Sequence, residues 1–273
     1  MTFRWTPGPV LVAGPCVLED DDTNFAVARS LAVLAVETGW LVVYKASFDK
    51  ANRSRPNAPR GPGLVRGLQM LRQIRDDVGL PVLTDVHEVH QVATAAAVVD
   101  ALQVPALLAR QSDLLAAVGA SGCAVNLKKG QWMAPEEMAG AVDKVRRAGA
   151  AVVAVTERGT AFGYGDLVVD MRSFRRLREA TGGAAVLFDA THAAQRPGMG
   201  PGGASGGERR DVPQLLAAAA AAGADGFFIE THPDPDRAHS DAATQWPLAD
   251  LPALVARAAT VWQAVRAPHA VSR

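Results

Sequence analysis

The stretch Leu41-Val42-Val43-Tyr44-Lys45-Ala46-Ser47-Phe48-Asp49-Lys50-Ala51-Asn52-Arg53-Ser54 joins an apolar, β-branched run to a loop crowded with cations and hydrogen-bond donors. The run reads as a buried strand. A lysine set directly at the end of such a strand needs an anionic partner, and the loop beyond it suits phosphate or carboxylate. A solvated surface loop would explain the charge of residues 49–54 but not the place of Lys45.

On either side of this stretch, short β-branched runs recur at Val10–Val12, Pro81–Thr84, Ala101–Val104, Ala124–Leu127, Ala151–Val155, Ala185–Phe188 and Gly226–Ile229. Between them, segments such as Asn24–Thr38, Leu64–Val78, Pro135–Ala148, Val212–Ala222 and Leu248–Val265 carry helical spacing or abundant alanine, which predicts an outer layer of helices. A doubly wound open sheet uses the same alternation. The residues just beyond the strands favour an α/β fold closed as a (β/α)8 TIM barrel. Cys16 comes shortly after the first run, then Lys45, Asp85, Gln103, Lys128, Arg158, Asp189 with His192, and Glu230. Such positions converge on one mouth in a barrel. With 273 residues, one catalytic domain over residues 1–273 is expected. The stretch Pro197–Gly207, rich in Gly, Pro and Ser, lies inside one βα unit. It is expected to be a mobile lid rather than a linker between domains.

Charged residues make up 21% and hydrophobic residues 49%, enough for a large core, and the 28 basic and 28 acidic side chains cancel. That balance removes the electrostatic reason to expect nucleic acid or an anionic membrane as partner. The N-terminus lacks a long apolar run with a small-residue cleavage site, and no uncharged stretch reaches about 18 apolar residues. A soluble cytoplasmic protein is expected.

Further cations stand at comparable places: Arg110, Lys128 with Lys129, and Arg158. Together they would hold two phosphates and a carboxylate. The thiol of Cys16, the imidazole of His192 and the carboxylates of Glu230 and Asp241 mix soft and borderline donors suited to zinc, ferrous iron or manganese. Their spacing matches no compact metal motif, and a lone buried cysteine is usually inert packing. His232, two residues after Glu230, competes with His192 for the imidazole position. Cys123 opens an apolar run and is expected to be structural, while His87, His90, His239 and His269 have no evident partner.

The stretches AGPCVLED, KASFDKANRS, RGPG, TDVHE, LARQSDLL, NLKKGQ, FGYGDLVVDM, FDATHAAQ, ASGGERR and IETHPDPDRAHSDAATQWPL run in order through almost the whole chain. This series resembles the 3-deoxy-D-manno-octulosonate 8-phosphate synthases, which join phosphoenolpyruvate to arabinose 5-phosphate for lipopolysaccharide biosynthesis. The related 3-deoxy-heptulosonate phosphate synthases, which use erythrose 4-phosphate, share the barrel, but the segment KANRS resembles the pentose-phosphate contact of the octulosonate enzymes. The resemblance implies a homotetramer. Cys16 and Ser240-Asp241-Ala242 resemble the metal-dependent form; the metal-independent form carries asparagine in place of the cysteine.

Position by position, the resemblance implies a divalent metal held by Cys16, His192, Glu230 and Asp241. Phosphoenolpyruvate would be held by Lys45, Lys50, Lys128 and Arg158, and arabinose 5-phosphate by Asn52, Arg53 and Ser54. Arg110, with Gln111 beside it, would reach a neighbouring subunit's sugar phosphate. Asp85 would sit near the sugar hydroxyls, and Lys45, Asp85, Lys128 and His192 form the expected catalytic set. The sequence departs from the family after Gln195 and in the proline-rich run Arg55-Pro56-Asn57-Ala58-Pro59. Two rival readings are Cys16 as a covalent nucleophile and a non-catalytic barrel that senses phosphosugars.

Overall fold

The computed structural model describes residues 3–5, 8–53, 55–161 and 163–266. All eight apolar runs are strands: β1 (Val10–Gly14), β2 (Leu41–Lys45), β3 (Val82–Asp85), β4 (Ala101–Val104), β5 (Ala124–Lys128), β6 (Val153–Glu157) and β7 (Ala185–Asp189), then, after two short strands, β10 (Gly226–His232). The short ones are β8 (Gln195–Arg196) and β9 (Gly206–Gly207), and β11 (Trp246–Pro247) follows β10. Strands β1 to β7 and β10 pair in parallel in chain order. The ring closes where β10 returns to β1, with Val10 opposite Gly226 and Gly14 opposite Glu230. Closure leaves these eight strands no unpaired edge, which decides for the barrel over the open sheet.

Several strands run past the ends expected from hydrophobicity, taking in Gly14, Lys45, Asp85, Lys128, Glu157 and Asp189. Hydrophobicity stops where the barrel mouth begins, but the backbone ladder continues, so the polar strand-end side chains are fixed by the sheet itself. At the opposite end, Pro81 and residues 151–152 fall outside the ladder. Proline has no N–H to donate, although the Pro81 carbonyl still accepts from the Tyr44 N–H at 2.9 Å.

Parallel neighbours need crossovers. These are α1 (Asp21–Thr38), α2 (Gly63–Val78), α3 (Val89–Ala96), α4 (Ser112–Gly119), α5 (Met138–Arg147), α6 (Ser173–Ala180), and α7 (Ala190–Ala193) with α8 (Val212–Ala221), while α9 (Leu251–Arg266) follows the last barrel strand. In α1 the Asp20 carboxylate accepts the Thr23 N–H, and Gly39 ends the helix at φ 65°. Its buried Val27, Ala28, Leu31 and Leu34 fall on one stripe. Each Val or Leu buried this way is worth about 1.5–3 kcal/mol. Helices α3, α4, α6 and α7 are not among the segments expected from sequence; they have eight residues or fewer, too short for helical periodicity to stand out.

Inside the barrel, Val10, Val12, Val43, Leu83, Leu187 and Phe228 pack together with Trp5, whose Nε1 donates to the Val125 carbonyl at 3.1 Å. This plug fills one end of the barrel and leaves the C-terminal ends of the strands as its mouth. The Gly- and Pro-rich stretch lies between α7 and α8. There β8 and β9 pair antiparallel around a short 3-10 turn at Pro201–Gly203. Among the described residues, no helix is long and apolar enough to cross a membrane.

Candidate active site

The mouth holds a cavity of about 740 Å³, lined by side chains from nearly every strand end and by the β8–β9 hairpin. Cys16 follows β1 and is fully buried. Its Sγ lies 3.0 Å from Ser240 Oγ and 3.3 Å from Asp241 Oδ2. One donor atom each from Cys16, Glu230 and Asp241 falls within 4.8 Å of the others, a cluster that could hold a metal ion. His192 stands at its edge, with Nε2 3.5 Å from Asp241 Oδ2 and 3.9 Å from Glu230 Oε1. Its Nδ1 is 2.7 Å from Asp189 Oδ2, close but out of line for a hydrogen bond.

The donors fit a divalent transition ion on three counts. Thiol, imidazole and carboxylate are the ligand types such ions take. Glu230 Oε2 is buried with no hydrogen-bond partner among the described residues. Asp189 Oδ2 stands 2.7 Å behind His192 Nδ1, the place of the carboxylate that orients a metal-bound imidazole once the two align. Asp241 reaches the cluster at φ 49°, in the left-handed region. That conformation costs on the order of 1–3 kcal/mol outside glycine. The turn is held by the Thr244 and Gln245 N–H groups donating to the Asp241 carbonyl.

Burial pushes the Cys16 thiol well up, the Asp241 and Glu230 carboxylates push it further, and Lys50 and Lys45 only partly oppose them. Without an added cation the sulfur is therefore a thiol, which weighs against an intrinsically activated nucleophile. His232, the competing imidazole, turns elsewhere: its Nε2 is 3.5 Å from Glu19 Oε2 and its Nδ1 accepts the Asp234 N–H.

Beside the cluster, Lys45 Nζ is buried 3.2 Å from Glu230 Oε1 and 3.9 Å from Asp85 Oδ1, and donates to the Cys16 carbonyl and Ser47 Oγ. Asp85 also accepts from Ser47 Oγ and lies 2.9 Å from His87 Nε2. Burial would raise the Asp85 pKa, but Lys45, His87 and Lys50 hold it far below the usual carboxylate range. Across the barrel, Lys128 pairs tightly with Asp189 and lies over the Phe228 ring. Burial outweighs the Asp189 charge and brings Lys128 down to about 8. Arg158 donates through Nη2 to Gln195 Oε1 at 3.0 Å, while its buried Nη1 has no partner among the described residues. A buried unpaired guanidinium nitrogen facing a cavity is a donor waiting for an anion.

Lys50, Asn52 and Arg53 also line the cavity; Ser54 lies outside the described residues. Arg53 donates to Pro59 O at 2.8 Å, Ser240 Oγ at 2.8 Å and His239 O at 3.1 Å. Lys129 turns away from the mouth, toward Glu157 and three carbonyls of the loops after β5 and β6. It is a strut rather than an anion contact. Arg110 and Gln111 are exposed and do not line the cavity of the single chain, and Arg110 Nη1 is 4.0 Å from Glu137 Oε1.

The chain matches the DAHP synthetase I family over residues 7–265. It belongs to that family. A 2-dehydro-3-deoxyphosphooctonate aldolase of Nitratidesulfovibrio vulgaris strain DP4 is 51% identical over 252 residues, 92% of this chain and 91% of the relative. Enzymes of the same name from Syntrophotalea carbinolica and Rhodopseudomonas palustris strain TIE-1 are each 53% identical, over 248 and 245 residues. These alignments cover 91% and 90% of this chain, and 88% and 85% of the relatives.

Within this member of the DAHP synthetase I family, sequence reading passes over several side chains at the mouth. His87, read as lacking a partner, meets Asp85; two residues apart on an extended chain, they face the same side, a signal the sequence does carry. The contacts of Ser240 and Gln195 have no such signal, because their partners Cys16, Arg53 and Arg158 are distant in sequence. His239 packs against Glu19, His90 pairs with Glu88 at the surface, and His269 lies outside the described residues. Cys123 sits half-buried just before β5 with the Ala96 and Val99 carbonyls near its sulfur, in keeping with a structural role.

Proposed function

We propose that this chain condenses phosphoenolpyruvate with arabinose 5-phosphate and water, giving 3-deoxy-D-manno-octulosonate 8-phosphate and inorganic phosphate. The observation that carries the reading is the pairing of a cation-lined mouth, where Arg158 Nη1 is buried without a partner, with a thiol–carboxylate cluster a few ångströms from Lys45. The names of the relatives support the same reaction.

In this reading C3 of phosphoenolpyruvate forms a bond to the aldehyde carbon, water adds its oxygen at C2, and the C2–O bond to phosphate breaks to leave the ketone; of the water's two protons, one ends on the former aldehyde oxygen and the other on the departing phosphate. Lys128 and Arg158 hold the anionic ends of phosphoenolpyruvate and set its face toward the aldehyde, a contribution of orientation more than of attraction. Lys45 is fixed between Glu230 and Asp85, and Asp85, kept ionised, accepts from sugar hydroxyls. Cys16, His192, Glu230 and Asp241 would hold a divalent ion of zinc, iron(II) or manganese. Bound there, it supplies Lewis acidity to the aldehyde oxygen or to the attacking water. Asn52, Arg53 and Ser54 take the sugar phosphate, with Arg110 and Gln111 completing it from a neighbouring subunit of a homotetramer. The reading includes one catalytic domain, a cytoplasmic location and a place in lipopolysaccharide biosynthesis.

The test is phosphate release from phosphoenolpyruvate with a panel of aldose phosphates. Turnover with arabinose 5-phosphate is expected. Turnover with erythrose 4-phosphate alone would move the chain to the heptulosonate reaction, and binding without release would make it a sensor.

A further inference from the structure

The run Arg55-Pro56-Asn57-Ala58-Pro59 has a defined geometry. The Ala58 N–H donates to the Arg55 carbonyl at 3.1 Å, closing a four-residue turn with proline in its second place, where its fixed φ is favourable. Arg55 is therefore the first residue of a stiffened turn, and its side chain lines the mouth cavity. Its stem rests on the β8–β9 hairpin: a Cβ built on Gly202, itself at φ +65°, would lie 3.0 Å from Arg55 Cδ and 3.9 Å from Nε.

The same turn fixes Arg53, whose Nε donates to the Pro59 carbonyl. Arg53 spends all three nitrogens on two carbonyls and a hydroxyl. None of these is a carboxylate, so its charge stays uncompensated. Arg55 has no side-chain hydrogen bond or ion pair among the described residues. Two guanidiniums on one proline-stiffened loop, both lining one cavity and neither paired to a carboxylate among the described residues, are arranged for a dianion.

We infer that Arg55 is a further guanidinium of this chain for the phosphate of the aldose phosphate, acting beside Arg53 and linking that phosphate to the β8–β9 hairpin through Gly202. The inference rests on the proposed condensation for the identity of the ligand. It makes Arg55 a specificity-determining residue for phosphorylated over free sugars.

The test compares wild type, Arg55→Ala and Arg55→Lys by initial rates, varying each substrate against saturation of the other. Arg55→Ala is expected to raise KM for arabinose 5-phosphate about tenfold, as loss of one charge-assisted contact does. KM for phosphoenolpyruvate should stay within about twofold, and Arg55→Lys should recover part of the loss. An unchanged sugar KM, or an equal rise in both KM values, overturns the inference. If the wild type fails to turn over arabinose 5-phosphate, the proposed reaction falls, and calorimetric binding of inorganic phosphate to wild type and Arg55→Ala decides the inference separately. Weaker binding by the variant upholds it, and equal binding overturns it.

Discussion

A buried thiol wedged against two carboxylates is a poor arrangement until a cation joins it, so Cys16 is the residue at which the metal reading stands or falls. The wild type is expected to bind close to one divalent ion per chain and to lose activity to a chelator. Cys16→Ala should lose the ion and at least about 100-fold in turnover, in line with the loss of a metal ligand or its support. Cys16→Asn should keep part of the activity without the metal, and full wild-type activity after exhaustive chelation would sink the assignment. Lys128 gives a second test. Its ammonium is held at about 8 by burial, so in free enzyme it loses its proton within the measurable range. On the alkaline side, kcat/KM for phosphoenolpyruvate should fall about tenfold per pH unit beyond that value. The limb in kcat should lie higher, because the bound anion favours the charged lysine. A kcat/KM that stays flat to pH 10 would show that Lys128 does not hold the substrate.

Between elements, the site depends on how closely β1 approaches the end of β2. A Cβ on Gly14 would fall 2.0 Å from the Lys45 carbonyl oxygen, so the two strand ends meet only because this residue is glycine. Gly14→Ala is expected to cost about 3 kcal/mol in urea denaturation, at the upper end for overpacking. It should also lower metal affinity, because Cys16 and Lys45 flank the contact. An alanine variant of wild-type stability would mean that the strand ends are not packed so tightly. These strands are legible because β-branched runs such as Leu41–Tyr44 and Ala124–Leu127 stand out from their surroundings. Their polar last residues are not: Lys45 and Asp189 look like loop in a hydrophobicity reading yet belong to the ladder. Helices of eight residues, such as Val89–Ala96 and Ser173–Ala180, present about two turns, and two turns give periodicity little to work with.

Over the molecule as a whole, the site is legible from sequence only to the extent that the barrel can be assumed. Cys16 is far in sequence from Glu230 and Asp241, and only closure of β10 onto β1 sets Gly14 opposite Glu230. The family resemblance points to the same positions; the partners that brace them, Ser240 on Cys16 and Gln195 on Arg158, emerge only from folding. The same convergence ties stability to pH. Asp85 and Asp189 are held far below their ordinary 3.8, and Glu230 is lowered from 4.5 to about 2, because neighbouring cations outweigh the cost of burial. Groups lowered in the folded state stabilise it fully above their unfolded pKa values, and that stabilisation is lost as pH falls through the folded ones. The barrel should therefore hold its stability down to about pH 4.5 and lose it steeply toward pH 2. A domain's whole stability is only about 5–15 kcal/mol, so losing the favourable charge pairing of three buried carboxylates weighs heavily against it. The measurement is the urea midpoint at stepped pH in the presence of chelator, so that release of a bound ion adds nothing. Asp189→Asn, which cannot take up a proton there, should start less stable at pH 7 and show a shallower fall. A wild-type midpoint unchanged between pH 5 and pH 2.5 would mean that the buried carboxylates at the mouth are not held ionised by Lys45, Lys50, Lys128 and His192.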